Sequence, residues 1–151
     1  MSTLNRRLQT MKAIVHASAE LSANAAMCSR VCDEFDEAVR VSAVTAEGRR
    51  RLLQILHSTR ALDTALKAFV QHHARQAKKP SLGGYLKALT QHGVVGLRKL
   101  PPPRQSQYQQ RIVNPRNKYM HEAGAAPTDH HEILALLSEM QSCLAEVTAL
   151  S

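Results

Sequence analysis

The sequence predicts an all-α domain, and three observations carry that prediction. The chain of 151 residues is 44% hydrophobic and 21% charged, enough for one packed core and too short for a large multi-domain enzyme. It has no Trp, 2 Phe and 3 Tyr, so residues that favour strands are sparse. Apolar residues also recur at helical spacing along most of the chain. We therefore expect an up-and-down four-helix bundle with an additional short helix, forming a single domain over residues 1–151.

The N-terminal half predicts two or three long helical segments. Apolar residues repeat with the spacing of one helix face from Leu4 to Val15 and again from Met27 to Val41, which indicates one long helix or two in series. A turn is expected near residues 46–48. The next long helix places its leucines inward and its arginines and lysines elsewhere, and Lys79-Pro80 is expected to end it.

The middle of the chain is rich in helix breakers. A short helical run over Tyr85–Gln91 is followed by a stretch expected to be flexible, Gly93–Gly96, and then by Pro101–Pro103. The prolines indicate a stiff spacer that ends one helix before another begins, or alternatively a ligand for a proline-recognition domain. Residues 104–113 then form one or two helical turns. Asn114-Pro115 follows as N-cap and first helical position, unless the segment is one kinked continuous helix.

The C-terminal part contains the clearest helix signals. A helix is expected through Arg116 to about Ala123, and residues 124–127 close it. Asp129 with Glu132 makes a capping-box start for a final helix, whose apolar face runs from residue 133 to residue 150.

Positive charge is concentrated in the middle of the chain. Residues 1–48 hold 5 Lys/Arg and 6 Asp/Glu, residues 49–121 hold 15 and 1, and residues 122–151 hold 0 and 5. The central block, with a net charge of +14, favours polyanion partners, and nucleic acid is the first of them. The alternative is a solvated basic face that keeps the protein soluble.

The N-terminal segment and the cysteines predict a cytoplasmic protein. No apolar stretch has the length of a membrane span, and the first residues are too polar for a signal peptide. Cys28, Cys32 and Cys143 are odd in number, and none belongs to a zinc-knuckle pair. Cys28 and Cys32 share one helix face, where we expect small buried thiols rather than metal or redox chemistry.

Other constellations indicate no metal site and no cofactor. The pairs His72-His73 and His130-His131 diverge on a helix and have no carboxylate or thiol at ligand spacing. Gly83-Gly84 lacks the preceding strand and the following Lys-Ser/Thr of a phosphate loop. The acidic residues between positions 33 and 37 indicate a solvated helix face.

The segment from Asn114 to Glu122 is the strongest candidate site. A helix start there favours an anion, and a guanidinium beside an imidazole suits phosphodiester chemistry. Asn117 and His121 share a face, so the amide can orient the imidazole. The alternative is that Arg116 pairs with an acid such as Glu122 while His121 only caps or packs.

The run from Arg116 to His121 resembles the Arg-polar-x-x-x-His signature of the HEPN superfamily, the higher eukaryotes and prokaryotes nucleotide-binding domains. That signature has Arg, four to six further residues and His, commonly with Asn, Asp or His directly after the Arg. Here the spacer is four residues and Asn117 follows the Arg. The family carries the motif near the start of a late helix in a small bundle. Leu82-Gly83-Gly84-Tyr85 also resembles a Leu-Gly-containing turn upstream of the motif in several branches.

The resemblance implies a metal-independent endoribonuclease of the toxin or phage-defence type, with Arg116, Asn117 and His121 as its catalytic residues. Family members act as homodimers with facing motifs, because one motif supplies a single acid or base. We expect an apolar surface around the motif helix to hold the two chains together, with a cognate antitoxin or activating subunit as a further partner. Some toxin branches extend the motif to His-x-Tyr, but Glu122 and Ala123 follow His121 here, so that regulation is not implied.

The basic block supplies the expected RNA contacts, with no membrane partner. Tyr108 is a candidate stacking platform, and the others are candidate phosphate or ribose contacts. The full set is Arg49, Arg50, Arg51, Lys78, Lys79, Arg104, Tyr108, Lys118 and Tyr119. Two other functions fit the same sequence: a non-catalytic RNA- or nucleotide-binding helical module, and a helical accessory subunit of a larger complex.

Overall fold

A computed structural model describes residues 1–73, 77–91 and 97–151, and these residues form helices and connecting segments without a strand. The prediction of an all-α protein is confirmed for them. The α-helices are α1 (Thr3–Ala17), α2 (Ala19–Ser22), α3 (Ala25–Arg40), α4 (Glu47–His72), α5 (Leu82–Gln91), α6 (Pro102–Tyr108), α7 (Asn114–His121) and α8 (His130–Thr148). A 3₁₀ turn, Val41–Ala43, follows α3, and a π-helical turn, Gln109–Val113, joins α6 to α7.

Four long helices surround the core. Helix α1 packs against α3 and α8, and α4 packs against the same two helices, so the contacts close into a ring. Side chains that are fully enclosed at its centre include Phe35 of α3, Phe69 of α4 and Met140 of α8. The apolar stripes of the sequence therefore face one another, while the up-and-down order of the helices stays a prediction.

The N-terminal third divides into three helices, not the one or two that its apolar stripe predicts. Ser18 ends α1 and caps α2, because its hydroxyl accepts a hydrogen bond from the Leu21 N–H at 3.3 Å. Asn24 caps α3 in the same way, through a 3.1 Å bond from the Met27 N–H. Such short polar side chains compete with the helical backbone, which is why the stripe is interrupted here.

Helix α4 ends at His72, so the prediction that it continues to Lys79-Pro80 is wrong. Residues 78–81 instead turn back across the first turn of α5, where the Ser81 hydroxyl accepts a hydrogen bond from the Gly84 N–H at 3.2 Å. The approach is so close that a Cβ at Gly84 would lie 2.0 Å from the Lys79 carbonyl oxygen. The expected flexible stretch Gly93–Gly96 lies outside the described residues.

Residues 102–121 form one continuous helical run, so the alternative of a continuous helix, without a break before Asn114, is observed. Pro101 caps α6, and the next two prolines occupy its first turn, where the missing N–H groups cost nothing. The π-helical turn precedes Pro115, whose ring would otherwise clash with the preceding turn. The prediction of a free helix N-terminus at Asn114 is therefore wrong, and with it the anion site expected there.

The C-terminal region follows the sequence closely. Gly124 takes the left-handed conformation, with φ of 76°, after α7 ends at His121. Asp129 caps α8 through a 3.0 Å bond from the Glu132 N–H. In a capping box the Glu132 carboxylate would accept from the Asp129 N–H. It accepts instead from the N–H and the hydroxyl of Thr128. Among the described residues no helix is both long and apolar enough to cross a bilayer.

Candidate functional site

Helix α7 places the first two residues of the Arg-x4-His motif at the rim of a large cavity. Arg116 and Asn117 line this cavity of about 640 Å³, which is open to solvent. The Arg116 Nη1 donates a hydrogen bond to Asn117 Oδ1 at 3.1 Å. His121 lies at the other end of α7, exposed and outside the cavity lining. The two motif side chains thus occupy different positions on one short helix.

The hydrogen bond between Arg116 and Asn117 differs from two expectations drawn from the sequence. The Asn117 amide oxygen accepts from Arg116, and within the described residues no hydrogen bond links Asn117 to His121. The prediction that Asn117 orients the imidazole is therefore wrong. The alternative that Arg116 pairs with Glu122 also fails, since Arg116 forms no ion pair with any described acid.

Three other parts of the chain complete the cavity. Helix α4 contributes Thr59 and Asp63, and residues 78–84 form the opposite wall through the loop and the first turn of α5. Gln105 and Gln109 extend the lining from the run that leads into α7. The walls therefore come from segments far apart in the sequence.

The cavity is lined by cations that form no ion pair with any described residue. Lys78, Lys79, Lys87 and Arg116 all line it, and none forms an ion pair within the described residues. The three lysines are exposed. The N-terminus of α5, at Leu82–Gly84, adds the positive end of a helix dipole to the same wall. The arrangement is suited to bind a polyanion through several phosphates.

Several cations outside the cavity pair with acids from the two flanking segments. Arg51 pairs with Glu47 at 3.1 Å, and Arg60 pairs with Glu34 at 3.3 Å. On the other side of the block, the C-terminal helix pairs its acids with cations of the 102–121 run. These pairs are Arg104–Glu146 at 3.0 Å and Arg111–Glu139 at 2.8 Å. Folding therefore pairs these cations of the positive block and leaves the four cavity cations without an ion pair among the described residues.

Asp63 is the one acidic residue among positions 49–121, and it lies in the wall of this cavity. Burial raises the pKa of its carboxyl, and the nearby Arg116 and Lys67 cations lower it in part. Its Oδ1 is buried and accepts no hydrogen bond from any described residue. Sequence reasoning missed Asp63, although a single acid within a block of 15 cations is a visible signal.

The predicted aromatic contacts are placed differently from the sequence expectation. Tyr108 is 0% exposed, and its hydroxyl lies 3.0 Å from Arg104 Nη2 and 3.4 Å from Glu146 Oε1. Burial raises the pKa of Tyr108. A base cannot stack on an enclosed ring, so the prediction of a stacking platform is wrong. Tyr119 is half-buried and donates to Glu132 Oε2 at 3.0 Å, which leaves its ring packed on the core.

The predicted basic contacts divide into free and engaged groups. Lys78, Lys79, Lys118 and Arg49 are exposed, and the first two line the cavity. By contrast, three arginines are already occupied with partners of this chain. Arg50 donates to the Val44 carbonyl, Arg51 binds Glu47, and Arg104 binds Glu146 while its guanidinium lies 5.3 Å from the Tyr108 ring centre.

The surface near α7 is polar. Among the described residues Met1 is the one large hydrophobic side chain that is exposed. Tyr119 and Met120 of the motif helix are half-buried and pack against the core. The described residues of the motif helix therefore offer partly exposed Tyr119 and Met120 but no large exposed apolar side chain, and an apolar dimer surface there stays a prediction.

Comparison of the chain with models of known protein families, with curated proteins and with solved structures found no match.

Proposed function

We propose that the protein is a metal-independent endoribonuclease of the HEPN type that binds RNA in the basic cavity and cleaves it at the rim formed by α7. The observation that carries the proposal is the position of Arg116. Arg116 lines a cavity that also holds three lysines, none of which pairs with an acid in the part of the chain that the structure describes, and the same short helix carries an exposed imidazole at His121.

Each group has a distinct part in the chemistry. Lys78, Lys79 and Lys87 bind the RNA backbone and draw a phosphate toward the cavity mouth. Arg116 stabilises the charge that develops on that phosphate when the neighbouring ribose 2′-hydroxyl attacks it. His121 accepts the hydroxyl proton or protonates the departing 5′-oxygen. The products carry 2′,3′-cyclic phosphate and 5′-hydroxyl ends.

One imidazole in each motif cannot be base and acid in the same step, so two chains share the site. Pairing through α7 brings two His121 side chains and two Arg116 side chains to one RNA strand. The surface near α7 is polar and basic, so the two chains repel each other without RNA. The active dimer therefore forms on the RNA, whose phosphates neutralise the facing cations. A toxin or defence effector with an antitoxin or activating partner is the biological setting in which such an activity fits.

A cleavage assay on total RNA, with EDTA present, tests the proposal. We expect His121→Ala and Arg116→Ala to lower the rate by 10² to 10⁴, the usual cost of removing one acid–base or charge-stabilising group. His131→Ala is the matched control, because that histidine is also exposed and lies outside the motif. Parent-like cleavage by His121→Ala, or a strict requirement for Mg²⁺, would overturn the mechanism.

Mixing experiments test the shared site. Addition of excess His121→Ala chains to a fixed amount of parent should reduce the activity, because mixed dimers lack one of the two imidazoles. Activity that depends only on the amount of parent chain would show that each chain cleaves alone.

The cavity also supports a second candidate, a nucleotide-binding module without catalysis. Its volume of about 640 Å³ and its basic lining suit a bound nucleotide. Binding of RNA that depends on the lysines, together with no cleavage under any condition, would favour this function.

A further inference from the structure

A histidine and two cysteines meet on the outside of the helix bundle, away from the cavity. His16 lies near the end of α1, and Cys28 and Cys32 lie one turn apart on α3. The Cys32 Sγ is 3.4 Å from His16 Nε2, and the Cys28 Sγ is 3.9 Å from His16 Nδ1. One ligand atom from each residue can be chosen so that all three lie within 4.8 Å of one another.

The packing of α1 on α3 fixes this arrangement independently of the sulfurs. Val15 and Val31 are buried where the two helices meet. One turn further along, Lys12 Nζ forms an ion pair with Asp36 Oδ1 at 2.8 Å. These contacts set the register of α1 on α3 next to His16, so the three side chains lie close together before any ligand binds.

We propose that His16, Cys28 and Cys32 bind one Zn²⁺ ion, with solvent in the fourth position. In a tetrahedral site with Zn–S of about 2.3 Å and Zn–N of about 2.0 Å, neighbouring ligand atoms are about 3.5 to 3.8 Å apart. The 3.4 Å separation of Cys32 Sγ and His16 Nε2 is close to that value, and small rotations of the side chains bring in Cys28. His16 is exposed, which leaves the fourth position open to water.

The ligand set selects the class of metal. Thiolate and imidazole ligands favour Zn²⁺ and its analogue Co²⁺ over Mg²⁺, Ca²⁺ and Mn²⁺, which prefer oxygen. Two thiolates balance the charge of a divalent ion while the imidazole stays neutral, and the two thiol protons leave to solvent. Neither cysteine is enclosed as completely as Cys143, so both sulfurs lie near the surface of the bundle.

The site is separate from the proposed ribonuclease chemistry. None of its residues lines the cavity, and none belongs to the Arg-x4-His motif. A bound ion joins α1 to α3 and therefore stabilises the folded protein. Cleavage of RNA stays independent of metal at the reacting phosphate, so the failure of either proposal leaves the other standing.

Titration of the fully reduced protein with Co²⁺ and then with Zn²⁺ tests the site. We expect one equivalent of Co²⁺ to give the intense visible bands of a tetrahedral complex together with thiolate charge-transfer absorption, and Zn²⁺ to remove both. Zn²⁺ at about 100 times its Kd should raise the Tm by about 5 to 10 °C. It should also protect two cysteines from alkylation, while Mg²⁺ protects none. Octahedral Co²⁺ spectra, or alkylation unchanged by Zn²⁺, would overturn the proposal.

Variants assign the ligands. Cys28→Ser, Cys32→Ser and His16→Asn should each weaken Zn²⁺ binding by about 100-fold or more, since even loss of a residue behind a ligand costs 10- to 100-fold. His131→Asn is the matched control and should bind as the parent does. Because alkylation is measured on the parent chain, the test holds even if a cysteine variant fails to fold. Tight binding by His16→Asn would exclude this three-residue site.

Discussion

Arg116 and Asp63 line the same cavity, where the Arg116 cation lowers the pKa of the Asp63 carboxyl and no hydrogen bond joins the two side chains. Asp63 belongs to α4 and the Arg116 cation belongs to α7, so their proximity depends on how these two helices pack. Within the described ranges, Asp63 Oδ1 accepts no hydrogen bond and Arg116 has no acidic hydrogen-bond partner. Arg116 therefore keeps its charge for a ligand that enters the cavity, while the unpaired oxygen of Asp63 stays buried in the wall.

Asp63→Asn should make the protein more stable at neutral pH. Burial raises the pKa of Asp63 above its ordinary value of 3.8, so the folded state holds the proton more tightly than the unfolded chain does. The loss of folding free energy caused by the buried charged carboxylate is absent below pH 3.8, and it reaches its full size above the raised pKa. The gain in Tm of Asp63→Asn should therefore grow as the pH rises from 3 toward 7. Asp33→Asn, at an exposed position, should change the Tm little at any pH. A gain for Asp63→Asn that is largest at pH 3 would contradict this assignment.

The cavity lysines should dominate the salt dependence of RNA binding. In a non-cleaving His121→Ala background, Lys79→Ala or Lys87→Ala should reduce the slope of log K against log salt by about 0.7 on single-stranded RNA. Arg111→Ala is the matched control, because its guanidinium already pairs with Glu139 at 2.8 Å. Filter binding at several salt concentrations measures the slopes. Equal effects of all three variants would place the RNA elsewhere on the basic surface.

Gly84→Ala should displace the lysine-bearing wall of the cavity. The new methyl would lie 2.0 Å from the Lys79 carbonyl oxygen, so the backbone of residues 78–81 must move. We expect a loss of about 1 to 3 kcal/mol in the free energy of unfolding and weaker RNA binding. At Gly48, also in a helix, no atom lies within 4 Å of an added Cβ. Gly48→Ala should therefore be neutral or stabilising by up to about 1 kcal/mol, and urea unfolding compares the two variants.

Tyr108→Phe should reduce stability and leave RNA binding unchanged. The variant removes the hydroxyl that lies 3.0 Å from Arg104 and 3.4 Å from Glu146, at a cost of about 1 to 2 kcal/mol. For a chain of this size the Tm falls by about 2 to 4 °C for each kcal/mol. The ring itself is 0% exposed, so no base reaches it. A loss of RNA affinity without a loss of Tm would restore the stacking role that the sequence suggests.

Local patterns determined the helices and several of their ends. The apolar stripes at Leu4–Val15 and over residues 133–150 lie in the core as their spacing predicts, because a face of apolar side chains gains most from burial whatever covers it. Asp129 caps α8 because the N-cap bond joins residues three apart in the sequence. The Arg-x4-His motif is likewise visible in the sequence alone.

Only the tertiary structure decided which charges and rings are available. Arg104 and Lys79 look alike in the sequence, yet Arg104 is held by Glu146 from α8, and Lys79 faces the cavity. Tyr108 is enclosed, and Asp63 meets Arg116, through contacts between residues 38 and 53 positions apart. Ion pairs and burial depend on distances between helices, and no local pattern encodes those distances. For the same reason His16 finds Cys28 and Cys32 only when α1 packs on α3.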